Sequence, residues 1–455
     1  MKALKLITGA AIVSCFTMCS QQKKSEMNDG NQAERSAIAD EMDKLLKDEM
    51  AQWYPKVIDT EDGGYLSDLD SNWVIRGQQN KMIVSQGRHV WSCSKLATFY
   101  DDDRYIGWAA HGAKYLQDVM WDKEFGGFYT LVNKQGEPQI DGGEDRIIKR
   151  LYGNAFAVYG LAAYHNVSGD SAALQLAIDG FKWLDKNSHD AELGGYYQFM
   201  ERDGTAMTEG LGDAAKDQNS SIHWMEALAE LYMVWPDPVL GNRLQEMLST
   251  IRDTITSDVG SMRLFFKKDW TPISYRDSTG EVQERGFQWD HVSFGHDIET
   301  AFLLKEASEV LGLENDERTD IVGKRMTDHA MTKGWDSEIG GIYDRGYYFK
   351  DKPDLEIIED SKNWWAQVEA MNTLLIMADM YPDDPMAYFE NFKKQWNYIK
   401  NYVMDKERGG FYSGGIDKQP RMTRGSKSGI WKGNYHTARS MMNCIARLRN
   451  ESVEH

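Results

Sequence analysis

The chain has 455 residues, of which 41% are hydrophobic and 12% aromatic, and its formal net charge at pH 7 is −19. Such acidity argues against a nucleic-acid-binding protein, because binding to nucleic acid depends on Lys and Arg side chains that neutralise phosphates. The length would suggest several domains, unless the chain is a closed array of repeats.

The first 19 residues are typical of a bacterial lipoprotein signal peptide. A basic start leads into an apolar run that is too short to span a bilayer, and the run ends in Cys15 and Cys19, either of which could carry the lipid. An ordinary cleaved signal peptide is the alternative. Residues 20–35 are polar and predict a tether, so we expect an exported protein that is lipid-anchored on the periplasmic side of a bacterial envelope.

Two cysteines remain beyond this N-terminal region, Cys93 and Cys444. A disulfide between them is one interpretation in an oxidising compartment, and two buried free thiols are the other. The sequence contains neither a CxxC nor an HExxH spacing, so we expect no metal site.

A short motif recurs along the chain: an acidic residue, then Gly-Gly, then an aromatic residue close behind. The glycine pair allows a tight turn with positive φ, and the aromatic residue favours a short extended segment. Five copies contain Gly63-Gly64, Gly126-Gly127, Gly194-Gly195, Gly340-Gly341 and Gly409-Gly410, and residues 257–265 form a degenerate sixth.

Two helix-like segments lie between consecutive copies, which makes twelve helices in six hairpins. This pattern predicts an all-α fold, a closed (α/α)6 barrel with an inner and an outer ring of helices, in which residues 36–450 form one domain. An open solenoid is the alternative, because solenoids also repeat. The predicted helices are 36–55, 84–100, 105–121, 149–167, 171–186, 217–236, 238–257, 290–312, 319–334, 361–381, 385–404 and 431–449.

Unusual polar and aromatic residues lie near the starts of the even-numbered helices. If those helices form the inner ring, their starts surround one mouth of the barrel and create a pocket with aromatic walls and converging polar groups, the usual arrangement of an active site. The candidates are Arg88, Tyr152, Asn154, Asn219, His223, Glu226, His296, Glu299, Trp364, Trp365, Glu369, Trp431, His436 and Arg439.

Three of these candidates are histidines near helix starts, His223, His296 and His436. Each alone would more often be a hydrogen-bonded structural residue, but three in matching settings indicate a common site. No nucleotide-binding, phosphate-binding or nucleophile-elbow motif accompanies them, so we expect no cofactor. Two histidines on opposite faces of a carbon next to a carbonyl can remove a proton from one face and return it on the other, through an enediolate.

The neighbours of two histidines suggest a division of roles. Glu299, three residues after His296, would favour the charged imidazole, whereas Arg439, three residues after His436, would favour the neutral one. We therefore expect His436 to be the resting base and His296 the resting acid.

Four runs resemble the N-acylglucosamine 2-epimerase and cellobiose 2-epimerase family: 219–227, 295–299, 364–369 and 431–439. The resemblance implies the (α/α)6 barrel, an acid/base pair formed by His296 and His436, and a third histidine, His223, that assists ring opening or holds a sugar oxygen. It also implies that Arg88 binds oxygens of the reacting sugar. Either Trp364 or Trp365, together with Trp431, would then stack on the two rings of a disaccharide.

The implied function is a 2-epimerase that interconverts the reducing-end glucose and mannose of β-1,4-linked disaccharides such as cellobiose and mannobiose. Two residues depart from the family pattern: Asn434 stands where proline is expected, and Phe302 where cellobiose epimerases usually carry tryptophan. Neither departure removes a proton-transfer group, but both weaken the assignment of the substrate.

Three other functions stay open at this point. An aldose–ketose isomerase of mannose-type sugars would use the same histidines. A glycoside hydrolase would need two carboxylates across the bond, for which Asp213, Asp217, Asp297 and Glu299 are available. A non-catalytic sugar-binding lipoprotein would use only the aromatic platforms. We expect no nucleic-acid partner and a membrane contact only through the lipid anchor.

Overall fold

The computed structural model describes residues 10–140, 145–211, 213–313 and 316–451, with side chains from residue 32 onward. Helices dominate this part of the chain, as predicted. They are α1 Ala10–Trp53, α2 Ile83–Tyr100, α3 Asp103–Tyr115, α4 Leu151–Ser168, α5 Ser171–Asn187, α6 Gln218–Val234, α7 Pro238–Thr250, α8 Glu281–Asp290, α9 Phe294–Val310, α10 Glu317–Lys333, α11 Trp364–Met380, α12 Tyr388–Tyr398 and α13 Tyr435–Arg449. Short π-helices continue α3, α7 and α12, at Leu116–Met120, Ile251–Ile255 and Ile399–Val403.

Six helices form a closed inner ring. Helices α2, α4, α6, α9, α11 and α13 contact one another in this order, and α13 returns to α2. Each packs against one outer helix, in the pairs α13–α1, α2–α3, α4–α5, α6–α7, α9–α10 and α11–α12. The prediction of a closed (α/α)6 barrel is therefore confirmed over the open solenoid, and the even-numbered predicted helices are the inner ones.

Short antiparallel strands link neighbouring hairpins at the end of the barrel where the inner helices begin. The strand before an inner helix pairs with the strand after the next turn motif, in the pairs β1–β2, β3–β4, β5–β6 and β7–β8. This turn is the degenerate copy for β5–β6 and a Gly-Gly turn for the others, and β9 extends the last pair. The strands are β1 Lys81–Met82, β2 Leu131–Val132, β3 Ile148–Arg150, β4 Phe199–Glu201, β5 Lys216–Asp217, β6 Phe265–Phe266, β7 Val292–Ser293, β8 Arg345–Tyr347 and β9 Glu356–Glu359.

Helix α8 was not predicted as a separate helix. It lies in the connection between β6 and β7, and half of its residues are exposed. Its sequence is short and mostly polar, so it lacks the long apolar run that identifies the ring helices.

The Gly-Gly turns adopt the predicted backbone conformation. Both glycines of all five pairs have positive φ. In each turn an aromatic ring lies where a side chain on the second glycine would be; for Gly127 this ring is Trp183, whose Nε1 donates to Phe125 O at 2.8 Å. The rings of Trp270 and Trp73 occupy the same position at Gly195 and Gly410.

We expect Gly127→Ala to destabilise the fold strongly. Its φ is +69°, and a Cβ would lie 2.8–2.9 Å from three atoms of Trp183. The matched control is Gly169→Ala, with a φ of +71° and no atom within 4 Å of the added Cβ. The control should lose about 1 kcal/mol from the left-handed backbone alone, and Gly127→Ala about 2 kcal/mol more from overpacking. Urea denaturation of both variants measures the difference, and equal losses would contradict the overpacking argument.

A buried ion pair accompanies each Gly-Gly turn and was missed by the sequence analysis. A fully or almost fully buried lysine donates to the aspartate that opens the turn. In four cases the lysine also donates to the carbonyl of the first glycine, and these four lysines each lie two residues before an inner helix. These contacts fix the starts of inner helices. The pairs are Lys81–Asp59, Lys149–Asp122, Lys216–Asp190, Lys362–Asp336 and Lys427–Asp405.

Residues 20–35, predicted to be a tether, are part of helix α1. Residues 1–9 of the predicted signal peptide lie outside the described residues. Among the described helices, none is both long and apolar enough to cross a bilayer. Cys93 and Cys444 are buried free thiols, which excludes the disulfide. Burial raises the pKa of Cys93 to about 12, so this thiol stays protonated.

Candidate active site

The inner helices bring the three histidines to the same end of the barrel. His223, His296 and His436 lie within the first two turns of α6, α9 and α13. Because the inner helices all run in one direction, their starts share one mouth. His223 and His436 are buried, and His296 is half-buried. The prediction that these helix starts surround one mouth is confirmed.

His436 is oriented by a carboxylate from the neighbouring helix. Its Nδ1 lies 2.7 Å from Glu369 Oε1, and Glu369 also accepts from Arg439 Nη2 at 2.6 Å and from Ser440 Oγ at 3.1 Å. An ionised carboxylate can only accept, so His436 carries its proton on Nδ1 and presents the lone pair of Nε2. This tautomer suits a base.

His223 is held in the same way by a residue of its own helix. Its Nδ1 lies 2.9 Å from Glu226 Oε2, and the other carboxylate oxygen of Glu226 accepts from Tyr435 and Arg439. Burial alone would raise the pKa of Glu226, but the charge of Arg439 and the contact with His223 outweigh it and lower the pKa to about 2. Glu226 is therefore ionised, and His223 also presents Nε2 as an acceptor.

Arg439 is the centre of a buried ion cluster. Its guanidinium donates to Glu226, Glu299 and Glu369, which come from three other inner helices. We predicted these four residues to bind substrate, but all are buried and bonded to one another or to histidines. They orient the histidines in this structure, and their direct contact with a sugar stays a prediction.

This cluster also bears on metal binding. Ligand atoms of Glu299, Glu369 and His436 lie within 4.8 Å of one another, a spacing that could hold a cation. However, the Arg439 guanidinium lies 2.5 Å and 2.6 Å from oxygens of the two carboxylates and already supplies a positive charge at this position. The donor set therefore fits an arginine-neutralised cluster better than a metal site.

His296 has a different partner from the one expected. Its Nδ1 lies 2.8 Å from Ser293 Oγ, whereas Glu299 bonds to Arg439 and lies 3.7 Å from His436. The hypothesis that Glu299 charges His296 is therefore wrong in its cause. If the Ser293 hydroxyl donates to Nδ1, the neutral imidazole presents Nε2–H, which is a donor opposite the acceptor of His436.

Burial, aided by positive charge at the mouth, keeps both histidines neutral at rest. Burial, with the nearby charge of Arg88, lowers the pKa of His296 to about 3. Burial and Arg88 also hold the pKa of His436 well below its usual value, although Glu299 opposes them. Arg88 is thus close enough to act electrostatically on both imidazoles.

Aromatic side chains complete the mouth. The Trp365 ring lies 4.7 Å from the His296 ring and 5.6 Å from the His436 ring, measured between centroids, so it sits against both. Trp364 is buried and lies under the ammonium of Lys432, so Trp365 is the better placed of the two predicted platforms. Trp431 is 52% exposed, and its ring lies 6.4 Å from that of Tyr152.

Arg88, Tyr152 and Asn219 also lie near the starts of inner helices. Arg88 donates to Tyr152 Oη at 3.1 Å and lies over the Phe156 ring, which holds its guanidinium at the mouth. Asn219 is half-buried, and its side-chain amide has no hydrogen bond to another described residue, so this amide is available.

The predicted substrate-binding role of Asn154 is corrected. Asn154 is fully buried and pairs with the backbone N–H and carbonyl of Phe128, behind a Gly-Gly turn. Gln86 and Gln367, each three residues into its inner helix, bond Tyr65 and Ile342 in the same manner. Asn154 is thus one copy of a structural device that recurs around the barrel.

Ser293 and Tyr435 were not among the predicted site residues. Ser293 is the residue immediately before α9 and bonds His296, and Tyr435 precedes His436 and bonds Glu226. Their only signal in the sequence is closeness to a histidine, which does not identify a partner.

A sequence profile of the N-acylglucosamine 2-epimerase family matches residues 64–440. The chain belongs to this family. It is 27% identical over 429 residues to a cellobiose 2-epimerase of Bacteroides fragilis, in an alignment that covers 90% of this chain and 100% of the relative. This epimerase is therefore an isomerase that acts on carbohydrate.

Solved structures agree on the fold. The cellobiose 2-epimerase of Spirochaeta thermophila superposes with a TM-score of 0.78 at 25% identity, covering 92% of this epimerase and 98% of that chain. A D-mannose isomerase superposes with a TM-score of 0.75 at 20% identity, covering 89% and 96% of the two chains, and shares the barrel.

Proposed function

We propose that this epimerase inverts C2 of the reducing-end sugar of β-1,4-linked disaccharides such as cellobiose and mannobiose. One observation carries the proposal. His296 and His436 flank Trp365, and each is held through Nδ1, by Ser293 and Glu369 respectively, so that Nε2 of each remains for the sugar. Two preorganised imidazoles at one carbon are what two-sided proton transfer requires.

The reaction would begin by opening the sugar ring, which produces the C1 carbonyl and makes the C2 hydrogen acidic. His223, whose Nε2 is an acceptor, is positioned to assist this step. His436 Nε2 then takes the C2 proton, and the electron pair of the C–H bond moves into the carbonyl to form the enediolate. The Arg88 cation stabilises the negative oxygen. The negative enediolate favours the charged form of His296, which takes a proton from solvent and delivers it from Nε2 to the opposite face of C2. The carbonyl re-forms, the ring closes, and His436 returns its proton to solvent.

The disaccharide preference is supported by two aromatic platforms and by the similarity of the chain to cellobiose 2-epimerases. Trp365 lies at the histidines, and Trp431 lies farther out with half its surface exposed, which suits a second sugar ring. Residues 1–19 support the further proposal that the protein is exported and lipid-anchored, where short oligosaccharides would reach it.

Proton NMR in D2O tests the proposal with cellobiose and then with mannobiose. The expected result is the C2 epimer, with deuterium at C2 and an intact disaccharide. A ketose as the main product would establish the isomerase instead, and free monosaccharide would establish the hydrolase. Absence of both exchange and product with either sugar would overturn the proposal.

Trp431→Ala should weaken disaccharide use selectively. Loss of a stacking ring costs about 1 kcal/mol, so we expect KM for cellobiose to rise about five- to tenfold with little change in kcat. Steady-state kinetics with glucose provides the internal control, because a single ring at the histidines does not reach this platform. An equal loss with glucose would contradict the assignment of Trp431 to the second ring.

A further inference from the structure

A second cavity lies at the opposite end of the barrel from the histidines. Its volume is about 710 Å³, within the range of about 300–1,000 Å³ that is typical of small-molecule sites. Its wall includes Lys95, Glu230 and Glu306, from the last two turns of α2, α6 and α9, whereas the histidines lie within the first two turns of inner helices. It is therefore separate from the candidate active site.

Arg439 stands between the two spaces. Its guanidinium bonds the carboxylates that orient the histidines, and the same residue lines the second cavity. Its Nε is buried and has no hydrogen-bond partner within the described ranges. A buried N–H without a partner costs free energy, so a ligand oxygen in this cavity would satisfy it.

The wall chemistry indicates the kind of ligand. Glu230 is 3% exposed, and its carboxylate accepts from Trp91 Nε1 at 3.1 Å and pairs with Lys95 Nζ at 2.7 Å. Acidic and basic residues are equally frequent in the wall, so neither an anion nor a cation is favoured. They are Asp43, Glu230, Glu306 and Glu451 against Lys47, Lys95, Arg439 and Arg449.

Hydroxyl groups suit such a wall because each can donate to a carboxylate and accept from an ammonium or guanidinium. Phe99 and Tyr100 in the same wall offer apolar faces for the C–H side of a sugar ring. We propose that this cavity is a second binding site, distinct from the active site, for a neutral sugar.

Site-specific labelling tests this site. Thr98 is exposed and lines the cavity, so the Thr98→Cys thiol would react with a maleimide at the cavity mouth. The probe sugar is methyl β-glucoside, whose blocked anomeric carbon prevents ring opening and turnover. Peptide mass spectrometry reads the labelling rate at this position alone, and Lys114→Cys, on the exposed side of α3, is the matched control.

Bound sugar should slow labelling of Thr98→Cys by about fivefold once its concentration is several times its dissociation constant, with no change at Lys114→Cys. Adding Lys95→Met should abolish the protection while circular dichroism and epimerase activity are retained. An unchanged rate at Thr98→Cys, or equal slowing at both positions, would overturn the proposal. Protection that survives Lys95→Met would also overturn the proposal, because the proposal assigns Lys95 to the wall that binds the sugar.

Discussion

His296→Asn should stop epimerisation while leaving deuterium exchange at C2 of one epimer. The variant keeps His436 and its partner Glu369, so one face of C2 still loses its proton and regains deuterium from the same imidazole. The substrate then becomes deuterated without inversion. Loss of one proton-transfer group should lower kcat for epimerisation by about 10²–10⁴-fold.

The reciprocal variant sharpens the test. His436→Asn should exchange only the epimer that His296→Asn does not, because each histidine serves one face. NMR in D2O, started separately from cellobiose and from its C2 epimer, measures all four combinations. His165→Asn, a histidine on α4 that bonds Asp170 O, is the control and should behave as wild type. Exchange of both epimers by either site variant would contradict the assignment of one histidine to each face.

The barrel could be predicted because its repeat consists of short features that are visible in the sequence. A glycine pair with positive φ and an apolar helix on either side recur in five hairpins, and a degenerate turn at residues 257–265 marks the sixth, so counting the turns counts the hairpins. Closure of the ring follows from six such hairpins. Helix α8 and the π-helical ends of α3, α7 and α12 lack that repeat, and periodicity has no means to detect them.

The histidines were predictable, but their partners were not. Spacing along a helix shows only neighbours three or four residues away, which is why Glu299 was assigned to His296. Inside the ring, side chains from six helices meet, and the histidine and carboxylate partners come from different helices. Arg439 donates to Glu299, 140 residues away in the sequence, and His436 contacts Glu369, 67 residues away. Asn154 shows the opposite error, because a repeat device resembles a site residue when only one copy is considered.

Arg439→Met should destabilise the protein more than any surface charge change. The substitution leaves Glu226, Glu299 and Glu369 buried without their shared cation, and removing one partner of a buried ion cluster costs about 3–5 kcal/mol. Arg449→Met is the matched control on the same helix. Its pairs with Asp40 and Asp43 are partly exposed, so it should lose less than about 1 kcal/mol.

The loss in Arg439→Met should depend on pH in a defined direction. In the native protein, Arg439 helps to hold the pKa of Glu226 at about 2, below its usual value of 4.5, so this group contributes stability above pH 4.5 that is lost as pH falls. Without the guanidinium, burial raises the pKa of Glu226, as it already raises that of Glu369. The folded variant then binds more protons than the unfolded chain, and its stability rises as pH falls from 8 toward 5. Urea denaturation across this range measures the difference from wild type. A loss that does not shrink toward acid pH would show that Glu226 and Glu369 do not depend on Arg439 for their charge.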